Sequence, residues 1–263
     1  IMPEFTNLKD LDSIVLRAGG RAPDELRGVT ITPDYIPSAA GSVLIECGAT
    51  RVICVVSIED KVPKWMQQQN GDAATAGWLT AEYNLMPYAG SGDRKMREST
   101  AGRLSGRTQE IQRLIGRAFR TVIDLDAIGQ RTIWIDCDVI EADGGTRTAS
   151  VTGAYVALVM AVNRLVKRRV LKKSPVNGQV SAVSVGMVKG RAMLDLDYRE
   201  DSTAETDMNV VMTADGDFVE VQGTAEGKAF SRAHLDAMLA LAGKGCRELH
   251  AKQLDALAAF AIR

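Results

Sequence analysis

Alternating hydrophobic and polar residues recur in both halves of the chain and predict paired β-strands in each. The expected strands, in chain order, are 29–32, 42–47, 52–58, 78–86, 130–140, 180–188, 192–198, 208–212 and 218–222. Turn sequences predict hairpins at Gly48-Ala49-Thr50, Lys189-Gly190 and Asp215-Gly216. The segment 66–77, rich in Gln, Asn, Gly and Ala, is expected to be a flexible loop.

Apolar residues spaced three and four positions apart predict amphipathic helices beside these strands. One helix is expected from about Arg107 to Ile123 and a second from Thr148 to Val166. A third should start after Ser231 as N-cap, with an interruption near 243–245. The pattern predicts an α+β protein of layered sheets and helices in two similar lobes. We expect residues 17–263 to form a single domain and residues 1–16 to be a variable or artificial extension.

Composition and charge limit the classes of function. The chain has 263 residues, 46% of them apolar and 25% charged, which suffices for a large core. Its 33 acidic and 32 basic residues give a formal charge of -1, which excludes a histone-like polycation, so contacts with nucleic acid must use local clusters. No apolar run approaches the roughly 20 residues that cross a bilayer, and no signal sequence is evident. We therefore expect a cytoplasmic protein without membrane contacts.

Cysteine and histidine chemistry is not expected to dominate. The four cysteines form no Cys-x-x-Cys pair, so we predict buried, reduced thiols rather than a zinc ribbon or a disulfide framework. Both histidines, His234 and His250, fall in the C-terminal helical segment. A solvated position on a helix face is the favoured interpretation for each.

Basic residues cluster between Asp93 and Arg120, where eight basic and three acidic side chains give a local charge of +5. Such a cluster is typical of a surface that binds a polyanion. For the loop arginines we favour anion binding, because a bound anion would offset the entropy lost in ordering a glycine-rich loop. For Arg113, Arg117 and Arg120, a solvated helix face with ordinary ion pairs is equally well supported.

The segment 143–148, Asp-Gly-Gly-Thr-Arg-Thr, lies between a predicted strand and a predicted helix. Its glycines allow close approach of the backbone, and the first N–H groups of the helix, with Arg147, could bind a phosphate. The motif matches neither the Walker pattern nor the dinucleotide fingerprint. From these residues alone, a structural turn and a phosphate site are equally well supported.

Acidic residues cluster between Asp195 and Asp207, where six carboxylates and one arginine give a local charge of -5. Oxygen ligands without histidine or thiolate suit Mg²⁺ or Mn²⁺ rather than zinc. The alternative is a solvated acidic loop. We favour the cation site because it occurs together with an arginine-rich loop and a phosphate-type turn, and without a catalytic Ser, Cys or His constellation. This combination indicates phosphoryl transfer.

From Arg21 to about Asp255 the chain resembles the ribonuclease PH family. The matching segments are GSVLIE 41–46, WLTAEY 78–83, SGRTQEIQRLIGR 105–117, DCDV 136–139, ADGGTRT 142–148, EDS 200–202, ETDMNVV 205–211 and VEVQGTAEG 219–227. The resemblance implies the ribonuclease PH fold, of the ribosomal protein S5 domain 2 type. It also implies a phosphate-dependent 3′-to-5′ exoribonuclease, or tRNA nucleotidyltransferase, that trims tRNA precursors, with rRNA as a further candidate substrate.

The resemblance also implies roles for particular residues. The implied ligands of inorganic phosphate, the co-substrate, are Arg107, Gly145, Thr146 and Arg147. The implied catalytic carboxylates are Asp195, Asp201 and Asp207, with Mg²⁺, or Mn²⁺ in its place, held by Asp201 and Asp207. The implied RNA contacts are Arg94 and Arg97. The implied assembly is a homohexamer, a trimer of dimers, that draws single-stranded RNA 3′ ends toward its sites.

Three departures from the family pattern concern RNA handling or the subunit edge. Gly19 stands where an acidic residue is usual, Tyr88 where arginine is frequent, and the segment 66–77 is longer than usual.

Two other functions stay open. One is a non-catalytic RNA-binding subunit of an exosome-like ring, and the other is a metal-dependent nuclease that hydrolyses RNA.

Overall fold

The first of two sheets is built by the N-terminal half of the chain. The computed structural model describes residues 17, 20–70, 76–90 and 92–260, so the predicted extension 1–16 and Gly19 lie outside the described residues. The strands of this sheet are β1 (Val29–Pro33), β2 (Gly41–Cys47), β3 (Thr50–Glu59), β4 (Trp78–Leu85) and β5 (Thr132–Glu141). Their spatial order is β1-β2-β3-β5-β4, and only β4 and β5 run parallel. The predicted hairpin of β2 and β3 is confirmed, with Cys47 opposite Thr50 at the turn.

The second sheet is antiparallel and is built by the C-terminal half. Its strands are β6 (Val180–Val188), β7 (Arg191–Leu194), β8 (Thr206–Thr213) and β9 (Phe218–Ala225), in the order β7-β6-β8-β9. The strand predicted over 192–198 is too long, because it ends at Leu194. The next residue, Asp195, has a left-handed backbone with φ of 54°, which lies outside the β region and ends the regular strand.

Seven helices are found in the described part of the chain. They are α1 (Lys64–Asn70), α2 (Glu98–Ala101), α3 (Gly106–Arg120), α4 (Leu125–Ile128), α5 (Thr146–Lys167), α6 (Tyr198–Asp201) and α7 (Arg232–Leu257), and a short 3-10 helix (Ala258–Phe260) follows. The three predicted long helices are therefore confirmed as α3, α5 and α7. Ser231 caps α7 as expected, since its side chain accepts a hydrogen bond from the backbone N–H of His234.

Two predictions about helices are wrong. Residues 66–70 of the predicted flexible loop belong to α1, because glutamine is a good helix former and Met66 packs with Val62 and Trp78. Helix α7 runs without interruption through its glycines. At Gly245 an added Cβ would lie 2.7 Å from Leu194 Cδ1, so this glycine permits close packing on β7 that offsets its low helix propensity.

Helix α5 is the central element of the core and packs on β2, β3 and β6. Buried residues occur around nearly its whole circumference. By length and composition alone it could cross a membrane, so the expectation that no apolar segment approaches that length is wrong here. Within its most apolar window, however, 78% of the helix is buried inside the protein, and core helices of globular proteins pass the same test.

One cluster of buried side chains includes residues from both sheets and from α3, α5 and α7. All four cysteines are free and buried, as predicted, and burial raises the pKa of Cys47 to about 12. His234 is exposed, as expected. The expectation is wrong for His250, which is buried between α7 and the second sheet, and whose Nε2 has no hydrogen-bond partner among the described residues.

Candidate active site

A cleft of about 470 Å³ opens at the carboxyl ends of the parallel strands β4 and β5. Because the strands are parallel, the segments that leave them meet at one edge of the sheet, where ligand sites of such sheets commonly form. Four of the predicted site residues line this cleft, namely Arg107, Gly145, Thr146 and Asp201. The turn before α5 and the acidic segment after β7 therefore face the same space.

The turn at Gly144 and Gly145 delivers the N-terminus of α5 to the cleft. Both glycines have left-handed backbones, with φ of 76° and 64°, which other residues rarely adopt. Gly145 is the N-cap of α5, and no side chain among the described residues accepts a hydrogen bond from the first turn of the helix. The free N–H groups and the dipole of this 22-residue helix create a site for an anion.

A buried hydroxyl pair forms the wall next to this turn. The Tyr83 hydroxyl lies 2.8 Å from Thr146 Oγ1, and either oxygen can be the donor. Burial raises the pKa of Tyr83, while the hydrogen bond to Thr146 and the charges of Arg107 and Arg147 oppose the rise. The pair thus stays neutral, and one of its two hydroxyl hydrogens remains free to donate.

The two predicted phosphate arginines differ in their surroundings. Arg107 is exposed in the first turn of α3, and no described carboxylate oxygen lies within 4.0 Å of it. Arg147 is held by two neighbours, because its Nη1 donates to Glu110 Oε1 at 3.1 Å and to Gln222 Oε1 at 2.7 Å. Arg107 is therefore the arginine that can bind an incoming anion without breaking an ion pair.

Asp201 and Asp207 form the acidic side of the site. Asp201 ends α6, and Asp207 is the second residue of β8. Partial burial and the negative charge of Asp207 raise the pKa of Asp201, against the opposing charges of Arg107 and Arg147. A cation bound near Asp201 and Asp207 would offset this unfavourable negative charge.

The described residues include no group of three or more His, Cys, Asp and Glu side chains suited to hold a metal ion. Mg²⁺ commonly binds through one or two carboxylates and keeps several waters or substrate oxygens as its other ligands. The pair Asp201 and Asp207 fits Mg²⁺ in that mode, and Mn²⁺ shares the preference for oxygen ligands.

The surroundings of Asp195 differ from those of Asp201. Its buried carboxylate accepts three hydrogen bonds from Arg27, from the backbone N–H at 2.8 Å, Nε at 3.0 Å and Nη2 at 2.7 Å. Asp195 is not among the residues that line the cleft, and neither is Asp207. These contacts suit Asp195 to position the residues beneath the cleft, and its catalytic role stays a prediction.

Arg27 connects the two sides of the site. The sequence analysis did not identify it as a site residue. Besides binding Asp195, it donates to the carbonyl oxygens of Asp143 and, at 3.4 Å, Gly144. Arg17 makes a similar contact, because its guanidinium donates to both Glu200 carboxylate oxygens at 2.7 and 2.6 Å. A charge pattern in the sequence could have indicated these contacts. Three arginines before β1 are opposite in charge to the acidic segment 195–207, namely Arg17, Arg21 and Arg27.

The predicted RNA contacts Arg94 and Arg97 lie on the rim rather than in the cleft. Both are exposed in the segment that precedes α2. Lys95, between them, lines the cleft and was not singled out from the sequence. The exposed Tyr88 occupies the start of the same segment.

The arginines of α3 were expected either to bind an anion or to form ordinary ion pairs. Arg117 forms an ion pair, because it binds the carboxylate of Glu220 at 2.7 to 3.0 Å. Arg113 is exposed.

Comparison with known proteins assigns the family. Residues 25–162 match domain 1 of the 3′ exoribonuclease family, and residues 178–245 match domain 2. A ribonuclease PH of Bacillus velezensis is 53% identical over 243 residues, which are 92% of this chain and 97% of that protein. The chain belongs to the ribonuclease PH family of 3′ exoribonucleases. The predicted resemblance and the predicted class of enzyme are confirmed.

Solved structures of other proteins share the fold. An Archaeoglobus fulgidus exosome with RNA bound to the active site contains a chain with a TM-score of 0.75 and 23% identity, covering 93% of this chain and 95% of that one. Rice (Oryza sativa) Rrp46 has a TM-score of 0.71 and 16% identity, covering 93% and 99%. At these identities the likeness shows the fold, and it confirms the predicted α+β class.

Proposed function

We propose that this chain is a phosphate-dependent 3′-to-5′ exoribonuclease that trims the 3′ ends of tRNA precursors. The observation that carries the proposal is the shared cleft, in which an uncapped helix N-terminus and Arg107 face Asp201. A relative named ribonuclease PH, 53% identical over nearly its whole length, supports the same activity.

The reaction exchanges one phosphate ester for another. An oxygen of orthophosphate attacks the phosphorus of the last phosphodiester, and the bond from that phosphorus to the RNA 3′ oxygen breaks. The 3′ oxygen takes up a proton. The products are a nucleoside 5′-diphosphate and an RNA that is one residue shorter. No protein nucleophile is required, and excess diphosphate should drive the reaction backwards and extend RNA.

Two anions must meet in this reaction, so the main task of the protein is to neutralise charge. Arg107 and the N–H groups at the start of α5 would hold the attacking phosphate. Arg147, already held by Glu110 and Gln222, would add its charge from a fixed position. In a cleft partly shielded from water these charges act more strongly than in bulk solvent.

Mg²⁺, held by Asp201 and Asp207, would supply positive charge for the phosphodiester and the leaving oxygen. Arg27 and Asp195 would hold the carboxylate pair and the glycine turn at a fixed distance from each other, since Arg27 contacts both sides of the cleft. These residues act through position rather than by touching the RNA.

RNA would be held mainly through its backbone charge. Arg94 and Arg97 on the rim and Lys95 in the cleft would bind RNA phosphates, which are the same in every sequence. Trimming should therefore depend little on sequence. We further propose a homohexamer, a trimer of dimers, as the working assembly, which sedimentation of the purified protein can test.

Product chromatography with and without orthophosphate tests the proposal. Nucleoside 5′-diphosphate that appears only when phosphate is present supports phosphorolysis. Nucleoside monophosphate released without phosphate would indicate hydrolysis instead. RNA binding without release of any nucleotide would indicate a non-catalytic ring subunit.

A further inference from the structure

Helix α6, which carries Asp201 into the cleft, is held mainly by polar contacts. It has four residues, and a single helical turn is unstable without contacts from outside. None of its residues is buried, and the buried apolar residues nearest to it in sequence, Leu196 and Ala204, lie outside the helix. A capping box closes the turn, because Asp197 and Glu200 each accept a hydrogen bond from the other's backbone N–H, at 2.9 and 3.2 Å. The position of Asp201 therefore depends on what binds this capping box.

The carboxylate of Glu200 is bound by a buried arginine from before β1. The side chain of Arg17 has no exposed surface. Its Nε and Nη2 donate to the two oxygens of Glu200 at 2.7 and 2.6 Å, and Nη2 also donates to the carbonyl oxygen of Asp195 at 2.9 Å. Its Nη1 donates to three further carbonyl oxygens at 3.3 to 3.4 Å, those of Ala22, Pro23 and Glu25. Paired hydrogen bonds from one guanidinium to one carboxylate fix direction as well as distance.

This pair belongs to a network in which positive and negative charges are equal in number. Its members are Arg17, Arg21 and Arg27 on one side and Asp195, Asp197 and Glu200 on the other. Asp201 and Asp207 stay outside it, since no described basic nitrogen lies within 4.0 Å of either carboxylate. The network thus holds the acidic segment while leaving these two carboxylates available for a cation.

We propose that Arg17 is a positioning residue for the cation site, and that it acts through Glu200 to fix the end of α6 from which Asp201 faces the cleft. The inference rests on the proposed function for the assignment of Asp201 and Asp207 to Mg²⁺. Without Arg17, Glu200 would keep only the longer contact to Arg21, at 3.4 Å, and α6 would be free to move toward water. Loss of a residue that supports metal ligands from behind typically lowers metal affinity about 10- to 100-fold.

Mn²⁺ binding to the metal-free protein tests the proposal without RNA, phosphate or turnover. The electron paramagnetic resonance signal of free Mn²⁺ gives the bound fraction. Arg17→Gln should weaken Mn²⁺ binding about 10- to 100-fold, and Asp201→Asn should weaken it at least as much. Glu200→Gln should also weaken it. The double variant of Arg17→Gln and Glu200→Gln should bind Mn²⁺ within about twofold of Arg17→Gln alone, because the two residues act as one unit.

Arg164→Gln is the matched control. Arg164 also joins separate segments, since it donates to the carbonyl oxygens of Ala39 and Ala40 at 2.9 Å and binds the carboxylate of Asp34. It lies 18 positions after Thr146 in α5, which places it about 27 Å from the cleft end of that helix at 1.5 Å per residue. This variant should unfold at lower urea than the wild type and keep its Mn²⁺ affinity within about twofold.

Hydrogen exchange of the metal-free protein reports the order of α6 itself. The backbone N–H groups of Asp201 and Ser202 donate to the carbonyl oxygens of Asp197 and Tyr198 at 2.9 and 3.0 Å. Arg17→Gln should speed exchange in the peptide that contains α6, whereas Arg164→Gln should not. Arg17→Lys keeps the charge but loses the paired hydrogen bonds, so it should lie between the wild type and Arg17→Gln in both measurements.

Four results would overturn the inference. They are wild-type Mn²⁺ affinity in Arg17→Gln, additive losses in the double variant, an equal loss in Arg164→Gln, and a wild type that binds Mn²⁺ no better than Asp201→Asn does. If Arg17→Gln does not fold, Glu200→Gln takes its place, and wild-type affinity in that variant overturns the inference equally.

Failure of the proposed function gives a different pattern. The wild type would then release no nucleotide with phosphate, while the differences in Mn²⁺ affinity among the variants would still support the role of Arg17.

Discussion

Gly144 offers a direct test of the contact between the two sides of the cleft. Gly144 and Gly190 have nearly the same left-handed backbone, with φ of 76° and 71°. A Cβ added at Gly190 would meet nothing within 4 Å. A Cβ added at Gly144 would lie 2.6 Å from the carbonyl oxygen of Leu196, in the segment that carries Asp201. Alanine at both positions therefore separates backbone strain from the contact across the site.

The magnitudes differ for the two variants. Alanine in the left-handed conformation costs roughly 1–2 kcal/mol, so both variants should lose about that much unfolding free energy. At Gly144 the overlap also requires a shift of about 0.8 Å to restore an ordinary contact of about 3.4 Å. A displacement near 1 Å in an active site can lower the rate by about 100-fold. We expect kcat/KM to fall roughly 10- to 100-fold for Gly144→Ala and less than about twofold for Gly190→Ala.

Urea unfolding and phosphate-dependent trimming of a 3′-labelled RNA measure the two quantities. The reasoning fails if Gly144→Ala keeps wild-type kcat/KM. It fails equally if both variants lose activity in proportion to their loss of stability, because the contact across the cleft would then have no separate role.

Three further predictions concern single charged groups. Arg107→Ala should raise the phosphate concentration for half-maximal rate roughly 10- to 100-fold, because that is the range for loss of a hydrogen bond to a charged group. The control Arg113→Ala, on the same helix, should leave this concentration unchanged. Asp201→Asn should lower turnover by more than about 100-fold while RNA affinity in a filter assay stays unchanged. Burial and the charge of Asp138 raise the pKa of Asp136, so the folded state binds this proton more tightly and stability falls as pH rises. Asp136→Asn should therefore unfold at higher urea than the wild type at pH 7, with the gain absent near about pH 3.

Local patterns in the sequence were enough to predict the strands and the long helices. The pairing of β2 with β3 followed from alternation and a glycine turn, and α5 from its apolar spacing. The errors arose where tertiary contacts decide the conformation. The left-handed Asp195, which is bound by Arg27, ends β7 early, and packing on Leu194 keeps α7 continuous at Gly245.

The same distinction applies to the site. The charge clusters and the glycine turn pointed to segments, and the family resemblance then singled out Arg107, Gly145 and Asp201 within them. The burial of Asp195 against Arg27 could not be predicted, since the two lie 168 positions apart in the sequence and only the folded chain brings them together. Residue type alone cannot separate a carboxylate that faces a cleft from one that is neutralised beneath it.

The central claim is that orthophosphate bound in the cleft is the nucleophile. Labelled orthophosphate and an unlabelled RNA, followed by analysis of the released nucleotides, test it most directly. The label should appear in the terminal phosphate of every nucleoside 5′-diphosphate released. Unlabelled nucleoside monophosphate, formed at the same rate with and without phosphate, would contradict the claim.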